Sequence, residues 1–175
     1  MSADQQHLSL SVPASLRVHA ASSRVPKPRR RPPAPVAEYT HTRLLAEARS
    51  AAGALDRLGV CPGERVGVLL PMCPESVAMT MACGRLDLLR VTLPWEDSVP
   101  PLREAVRRSG AGVLVVADAA TQLGRTYEVK RIVDRALADC PAVRSVLVVH
   151  RTGGPVPWTP GRDQWWHEAL ATLEA

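Results

Sequence analysis

Apolar residues recur at helical spacing in the segment that follows residue 40. Leucines and alanines there fall on one side of a helix, at Leu44, Leu45, Ala48, Ala52, Leu55 and Leu58. Thr40 is a good amino-terminal cap, and Gly59 stands where a left-handed residue would end the helix. The pattern therefore predicts a first helix between these two residues.

Short runs of mostly branched apolar residues predict strands that are covered on both faces. These runs occupy residues 66–70, 90–93, 113–116 and 146–149. Helical patterns separate them, at residues 74–86, after a possible cap at Ser98, and at residues 127–138. Strands that alternate with helices of this length predict parallel pairing, and therefore an α/β protein with a layered sheet.

The loops after the strands are where an α/β sheet of this kind binds ligands. The loop between residues 117 and 130 follows a strand and opens a helix, a position that favours anions. It holds one glycine, Gly124, and no Gly-x-x-x-x-Gly-Lys pattern, so it does not predict a loop that cradles phosphates. Arg125 is a candidate phosphate contact, and an exposed loop arginine without a ligand is the alternative reading.

The net charge of +5 comes from the first 36 residues. Residues 1–36 hold six basic residues and one acidic residue, whereas residues 37–175 hold sixteen of each. The prolines of this tail and its lack of a helical or strand period predict disorder. The run at residues 29–31 is either a patch for an acidic partner or part of a solvated linker. A role in nucleic-acid binding would depend on the tail alone, so nucleic acid is not the expected partner.

Other candidate chemistry in the sequence is sparse. Four separate cysteines indicate neither a zinc site nor a disulfide framework, and they favour a reduced, cytoplasmic protein without a metal. His150 and His167 lack a serine or cysteine with an orienting acid, so we interpret them as surface or capping residues. Asp163, Glu168 and Glu174 are expected as solvated charges on one short carboxyl-terminal helix. No apolar stretch of about 18 residues predicts a membrane span.

Residues 151–168 stand out because they gather three of the four tryptophans with a Gly-Arg-Asp corner. Trp165 and Trp166 are large anchors that need a partner surface, and Asp163 is placed to cap the helix that they begin. The segment closely resembles the Arg-Thr-Gly, Gly-Arg-Asp and Trp-Trp-His segment of acetyl-CoA synthetases. The match extends back to Tyr39 and covers about 135 of the 175 residues.

The resemblance implies an adenylate-forming enzyme of the AMP-binding superfamily. It implies that residues 37–175 form the first part of the large α/β domain, a partial doubly wound, mainly parallel sheet with flanking helices, and that residues 1–36 precede it as a disordered tail. A complete member uses ATP, magnesium and coenzyme A to convert acetate to acetyl-CoA. The phosphate loop, the adenine contacts and the carboxyl-terminal lysine of that family are expected beyond this chain, and Lys130 is not that lysine. We therefore expect no catalytic residue and no cofactor for this chain alone.

Two segments depart from the family pattern. In the family, an Arg-x-Gly-Arg/Lys stretch contacts the phosphates of coenzyme A, and it falls on residues 122–125. Gly124 and Arg125 fit that stretch, but Gln122 replaces an arginine. The second departure removes glycines: the family has Ile-Gly-Ala-Val-His and then Phe-Gly-Gly-Phe, where this chain has other residues at 86–90 and 94–97. Losing glycines where backbones approach closely is expected to strain or open the loop.

Three functions remain open at this point. The leading interpretation is a non-catalytic remnant of an acetyl-CoA synthetase-like ligase. The alternative is a binding or regulatory module that pairs with a full-length synthetase, or with a separately encoded second half, through an uncovered edge and apolar face of the sheet. The third is an adaptor that binds nucleic acid through its arginine-containing tail.

Overall fold

The computed structural model describes residues 40–96, 98–122 and 124–171. The elements in chain order are α1 (His41–Arg57), β1 (Arg65–Leu69), α2 (Pro74–Arg85), β2 (Leu89–Thr92), α3 (Val99–Ser109), β3 (Val113–Ala117), β4 (Ala120–Gln122), β5 (Arg125–Tyr127), α4 (Val129–Leu137), β6 (Ser145–Val149), β7 (Asp163–Trp165) and α5 (Trp166–Ala171). The predicted disordered tail at residues 1–36 and the predicted position of Glu174 on a helix lie outside the described residues.

Five strands form one parallel sheet in the order β2-β1-β3-β6-β7. The middle strands carry valines and leucines that are fully buried, among them Leu114, Val115, Leu147 and Val148. Burial on both faces explains why these strands appear in the sequence as continuous apolar runs rather than as alternating patterns. The predicted α/β fold with a parallel sheet is confirmed.

The helices lie in two groups. Helix α1 packs against α2 and α5, while α3 packs against α4 and contacts β1. Strand β2 lies on one side of β1, and β3, the next strand along the chain, lies on the other side of β1. The order of the strands therefore changes direction between β1 and β3. In doubly wound sheets this reversal opens a crevice at the carboxyl ends of the two strands.

Helix α1 begins and ends as predicted. The Thr40 hydroxyl accepts a hydrogen bond from the Arg43 N–H at 3.3 Å. After the last helical turn, Gly59 adopts a positive φ of 69°. The prediction for α3 was wrong in one detail: Ser98 does precede the helix, but its side chain makes no capping hydrogen bond.

The first and last described helices are joined by two polar contacts. The Trp166 indole Nε1 on α5 donates to Oε1 of Glu47 on α1 at 3.0 Å. The Arg57 guanidinium donates to the Ala169 carbonyl oxygen at 2.5 Å. These bonds complement the apolar contact between α1 and α5.

Two local predictions were wrong. Asp163 does not cap a helix; it lies buried in β7, and the short helix α5 begins at Trp166. The reason is that the Asp163 carboxylate is drawn into ion pairs with Lys130 and Arg162, which a solvated cap would not reach. The loop between residues 117 and 130 also contains an antiparallel hairpin, β4–β5, that no apolar pattern indicates, so α4 starts at Val129 and not at residue 127.

Within the described ranges, the helices are all too short or too polar to cross a bilayer.

Candidate functional site

Asp118 ties together two loops at the carboxyl edge of the sheet. It follows β3 directly and is 1% exposed. Its carboxylate accepts hydrogen bonds from the backbone N–H groups of Ala119 at 2.6 Å and Arg151 at 2.8 Å. The backbone N–H groups of Thr152 and Gly153 and the Thr152 hydroxyl also donate to it. The oxygens of Asp118 are therefore used within the protein, where they position the loop after β6.

An ion pair bridges the same edge on the side of β1. Arg151 Nη1 lies 3.5 Å from Glu75 Oε2, in the first turn of α2. The buried Cys73 thiol is close by, and burial, followed by the negative charge of Glu75, raises its pKa to about 11. Because the thiolate is the reactive form of cysteine, Cys73 is protonated and unreactive near neutral pH.

The hairpin β4–β5 carries the residues that the sequence singled out for coenzyme A. Gly124 forms its turn with a φ of 75°, a left-handed conformation that glycine adopts without strain. Arg125 is exposed, and its guanidinium carbon lies 5.7 Å from the centre of the Tyr127 ring. In backbone register Gln122 lies opposite Arg125, so the structure brings these predicted residues to one turn.

The described residues of the hairpin do not fit the phosphates of coenzyme A well. Arg125 supplies one exposed guanidinium. Lys130, the next cation along the chain, is buried, and Arg131 after it pairs through Nε with Glu128 Oε2 at 3.1 Å. Phosphate recognition depends on several converging charged donors, preferably in a fork. One arginine next to an acid–base pair is a weak substitute.

A small apolar recess lies between the hairpin and the two helices of its layer. Its lining residues are Leu69, Trp95, Glu96, Leu102, Tyr127, Val129 and Ile132, and its volume is about 10 Å³. Trp95 is 36% exposed, so most of its surface is covered. The departure at residues 94–97 was predicted to strain or open the loop; Trp95 of this loop lines the recess, and residue 97 lies outside the described residues.

Backbone strain is found at residue 87, the position of the other departure from a family glycine. Asp87 adopts a φ of 55°, the one positive value among the described residues other than glycine. Its carbonyl oxygen accepts a hydrogen bond from the Gly63 N–H at 2.8 Å, which fixes the conformation. This residue stands where the family run has its glycine, so the predicted strain is present here.

A wider cavity of about 180 Å³ lies on the other side of the hairpin. Its walls include Asp118, Thr126, Glu128, Arg131, Thr152 and residues 154–157. The charged groups that line it are already used, because Asp118 holds the loop after β6 and Glu128 pairs with Arg131. The cavity therefore offers hydroxyls and an ion pair rather than a set of free cations.

Lys130 lies at the centre of a buried cluster of four charges. Its side chain is 0% exposed, and its Nζ lies 2.6 Å from Asp134 Oδ2 and 2.8 Å from Asp163 Oδ2. Arg162 contacts the same two acids, at 2.5 Å from Asp134 and 2.7 Å from Asp163. Two cations thus balance two anions, and Lys130 also donates to the Pro157 carbonyl oxygen at 3.1 Å.

The cluster shifts the pKa values of Asp163 and Arg162. Burial alone would raise the pKa of Asp163, but hydrogen bonds from Arg162, Lys130 and the Thr159 N–H outweigh it and lower the pKa of this carboxyl. Burial alone would likewise lower the pKa of Arg162, yet its contacts with Asp163 and Asp134 raise it. Asp163 and Arg162 are therefore charged near neutral pH, and the cluster holds the loop before β7 against α4.

Stacked rings extend from this cluster towards β6. Trp165 is 1% exposed and stacks on Trp158 at a centroid distance of 4.8 Å. His150 meets the edge of the same indole at 5.7 Å, and His167 lies on it at 6.4 Å. Both histidines are partly buried against this tryptophan, so interpreting them as simple surface residues was incomplete.

Metal and thiol chemistry have little basis in this part of the chain. The described residues contain no group of three or more histidine, cysteine, aspartate or glutamate side chains that could hold a metal ion. Cys61 is exposed, Cys73, Cys83 and Cys140 are buried, and all four are free.

Comparison with known proteins agrees with the resemblance drawn from the motifs. A family model described as AMP-binding enzyme matches residues 24–173. The chain is 41% identical over 136 residues to an acetyl-coenzyme A synthetase of Coprinopsis cinerea, a match that covers 78% of this chain and 21% of that protein. An acetyl-coenzyme A synthetase of Emericella nidulans is 40% identical over 136 residues, covering 78% and 20% of the two chains.

A bacterial relative shows the same partial coverage. The acetyl-coenzyme A synthetase of Mycolicibacterium smegmatis is 38% identical over 131 residues, which are 75% of this chain and 14% of that protein. The chain thus spans about a fifth or less of the length of these relatives.

Proposed function

The chain belongs to the family of AMP-binding enzymes, and on that premise we propose that it forms the first section of the large domain of an acetyl-CoA synthetase-like ligase. In this proposal the section is a scaffold that makes no acyl-adenylate by itself. The complete enzyme would use acetate, ATP with magnesium, and coenzyme A.

The observation that carries the proposal is the state of the carboxyl edge of the sheet. Two charged groups of this edge face partners within the protein: Arg151 lies 3.5 Å from Glu75, and Asp118 accepts hydrogen bonds from the backbone of the loop after β6. Stabilising an adenylation transition state requires donors and cations that are already aimed at the phosphates. In the described part of this edge these groups hold the loops together, and in this proposal other residues of the complete enzyme bind the phosphates.

The test is acetate-dependent exchange of labelled pyrophosphate into ATP by the purified chain. We expect exchange at the level of a blank without protein, while the full-length synthetase of Coprinopsis cinerea, assayed in parallel, serves as the positive control. Exchange above the blank that depends on acetate and scales with the chain's concentration would overturn the proposal.

A second candidate function is favoured by the edge strand β2. Leu89 is 52% exposed, and among the described strands β2 pairs with β1 alone. The backbone N–H groups of Leu89 and Leu93 donate hydrogen bonds to carbonyl oxygens on the β1 side. Because backbone groups alternate along a strand, those of Arg90 and Thr92 point away from β1, towards the open edge of the sheet. Such an edge is a template for another strand, so the module could pair with a complementary section of a synthetase.

Complementation tests this second function. The chain is mixed with a synthetase of a relative from which the matching region has been deleted, and pyrophosphate exchange is measured. Restored exchange that is lost in a Leu89→Lys/Thr92→Pro variant supports pairing through β2. No restoration, with both components folded and soluble, contradicts it.

The cellular location follows as part of the proposal. Four free thiols, three of them buried, suit a reducing compartment, and we place the chain in the cytoplasm. Labelling intact cells with a thiol reagent that cannot cross membranes should leave Cys61 unmodified.

A further inference from the structure

We propose that two copies of this chain pair through their β2 strands, antiparallel and about a two-fold axis at Val91, so that the two sheets continue into one another. The inference goes beyond the proposed function, because it needs neither a ligand nor a section of another synthetase. Pairing with a second copy and pairing with a complementary section use the same backbone groups of β2 and therefore exclude each other.

The backbone groups that β2 offers to a partner are few and well defined. The N–H groups of Leu89 and Leu93 donate towards β1, each at 2.9 Å. The N–H and C=O groups of Arg90 and Thr92 therefore point away from β1, and no other described strand lies on that side. Each of these two residues can exchange a pair of hydrogen bonds with a residue of an antiparallel strand.

The open stretch ends in the same way on both sides of Val91. The Leu88 N–H already donates to a carbonyl oxygen of α2 at 2.9 Å, and Pro94 has no N–H. A two-fold axis at Val91 places Arg90 opposite Thr92 of the second copy and Leu88 opposite Pro94. The residues with open backbone groups then meet each other, and so do the residues that lack a free donor.

Charge selects this register over its neighbours. An axis at Arg90 would put two guanidinium groups directly opposite each other, which is destabilising. An axis at Thr92 would put Arg90 opposite Pro94, which has no N–H to donate. With the axis at Val91, Arg90 faces an uncharged threonine. Its guanidinium is held over its own chain by bonds to the hydroxyl groups of Thr92 at 2.7 Å and Ser76 at 3.1 Å.

The other face of β2 presents apolar side chains to the same partner. Arg90 reaches α2, so Leu89 and Val91 lie on the opposite face of the sheet, where Leu89 is 52% exposed and Val91 is half-buried. In the proposed pair Val91 lies opposite its own copy, and Leu89 lies opposite Leu93. Burial of this apolar surface adds to the backbone hydrogen bonds. Because β2 is four residues long, we expect a dimer that dissociates on dilution.

A cysteine at the two-fold axis tests the register. In an antiparallel pair of this type the Cα atoms lie about 4.5 Å apart, within the range of about 4.4 to 6.8 Å that a disulfide spans. Val91→Cys should therefore give a covalent dimer on a non-reducing gel after treatment with copper–phenanthroline. Both this variant and its control carry Cys61→Ser, since Cys61 is exposed and the other native cysteines are buried.

Leu89→Cys is the matched control for the cross-link. It lies on the same strand and face as Val91 and is the more exposed of the two. In the proposed register the two copies of residue 89 are separated by four residues along the strand, which is at least about 13 Å. We therefore expect little covalent dimer from Leu89→Cys under the same oxidation.

Sedimentation equilibrium measures the association without a cross-link. The mass of the wild-type chain should rise with concentration towards twice that of one chain. Thr92→Pro removes an outward donor from each copy and should weaken the association at least about tenfold. Thr92→Val keeps the N–H and a strand-forming side chain, so it should associate as the wild type does.

Three results would overturn the proposal: a wild-type mass of one chain at every concentration, equal cross-linking of Val91→Cys and Leu89→Cys, or unchanged association of a Thr92→Pro variant that keeps the wild-type circular dichroism spectrum. These results are independent of pyrophosphate exchange. If the chain exchanges pyrophosphate, the proposed function fails and self-pairing stands. If the chain is monomeric and makes no exchange by itself, only self-pairing is lost.

Discussion

At one edge of the sheet, β7 packs on a layer of ion pairs and stacked rings, whereas at the other edge β2 leaves Leu89 52% exposed. Asp163 and Trp165 in β7 each depend on several partners from other elements. In β2, the Arg90 guanidinium donates hydrogen bonds to the hydroxyl groups of Thr92 at 2.7 Å and Ser76 at 3.1 Å.

This difference matches the pattern of resemblance to the family. The Gly-Arg-Asp and Trp-Trp-His segment, which contains β7, follows the family closely, while residues 86–90 and 94–97 beside β2 depart from it. Side chains that share one network have strongly coupled effects, so a single change there disrupts several contacts. At the β2 edge a change alters few contacts, and the sheet tolerates it.

The largest expected effect comes from removing the central cation of the β7 side. Lys130→Met should lower the free energy of unfolding by about 3 to 5 kcal/mol, because it leaves Asp163 and Asp134 buried with only Arg162 between them. Urea unfolding followed by tryptophan fluorescence measures the loss.

Arg131→Met is the matched control for Lys130→Met. It removes a cation from the same helix, but one whose partner Glu128 is exposed, and it should cost less than about 1 kcal/mol. Adding Asp163→Asn to Lys130→Met restores the charge balance and should recover part of the loss. Equal costs for Lys130→Met and Arg131→Met would show that the cluster does not hold the β7 side.

An intermediate effect is expected from acid. The pKa of Asp163 is lowered in the folded chain, so the unfolded chain binds the proton more readily, and stability rises with pH between the two values. The stabilisation that Asp163 contributes is present in full above its pKa in the unfolded chain, which is about 4. It is lost as the pH falls through the lower pKa of the folded chain.

Melting temperatures of the wild type and of Asp163→Asn between pH 7 and pH 2.5 test this dependence. The wild type should melt at a higher temperature at neutral pH, and the difference should shrink on acidification, because the asparagine variant has no proton to take up at this position. Parallel curves would contradict a role for Asp163 in acid sensitivity.

The smallest effect is expected on the β2 side, and it has the opposite sign. Asp87→Gly should raise the free energy of unfolding by about 0.5 kcal/mol, since glycine removes the cost of the left-handed φ but gains entropy in the unfolded chain. Thermal unfolding should shift upward by about 1 to 3 °C. Asp87→Ala retains a side chain at the same φ and should give no gain; stabilisation by alanine equal to that by glycine would show that backbone strain is not the cause.

The apolar pattern predicted most of the sheet and its helices. Strands that are buried on both faces appear in the sequence as continuous apolar runs, and helices with one buried side appear as apolar residues at helical spacing. The pattern did not predict β7 or the hairpin β4–β5. β7 is three residues long and contains Asp163, whose burial depends on Lys130 from a distant segment. Ion pairs between residues far apart in the chain have no period, so a pattern within a short window does not contain them.

The candidate site shows the same limit. The sequence placed Gly124 and Arg125 in the loop after β3, and the structure shows that this part of the loop is the turn of the hairpin β4–β5. Trp95, Leu102 and Ile132 line one recess, and this meeting of three segments emerged only with the fold.

The contact between α1 and α5 has a consequence for synthesis on the ribosome. Glu47 and Arg57 find their partners on Trp166 and Ala169, more than a hundred residues later in the chain. The apolar side of α1 therefore stays partly uncovered until the last described helix has left the exit tunnel, a period during which a nascent chain is open to chaperones and to aggregation. Slow translation through residues 150–170 should lengthen that exposure and reduce the yield of native protein.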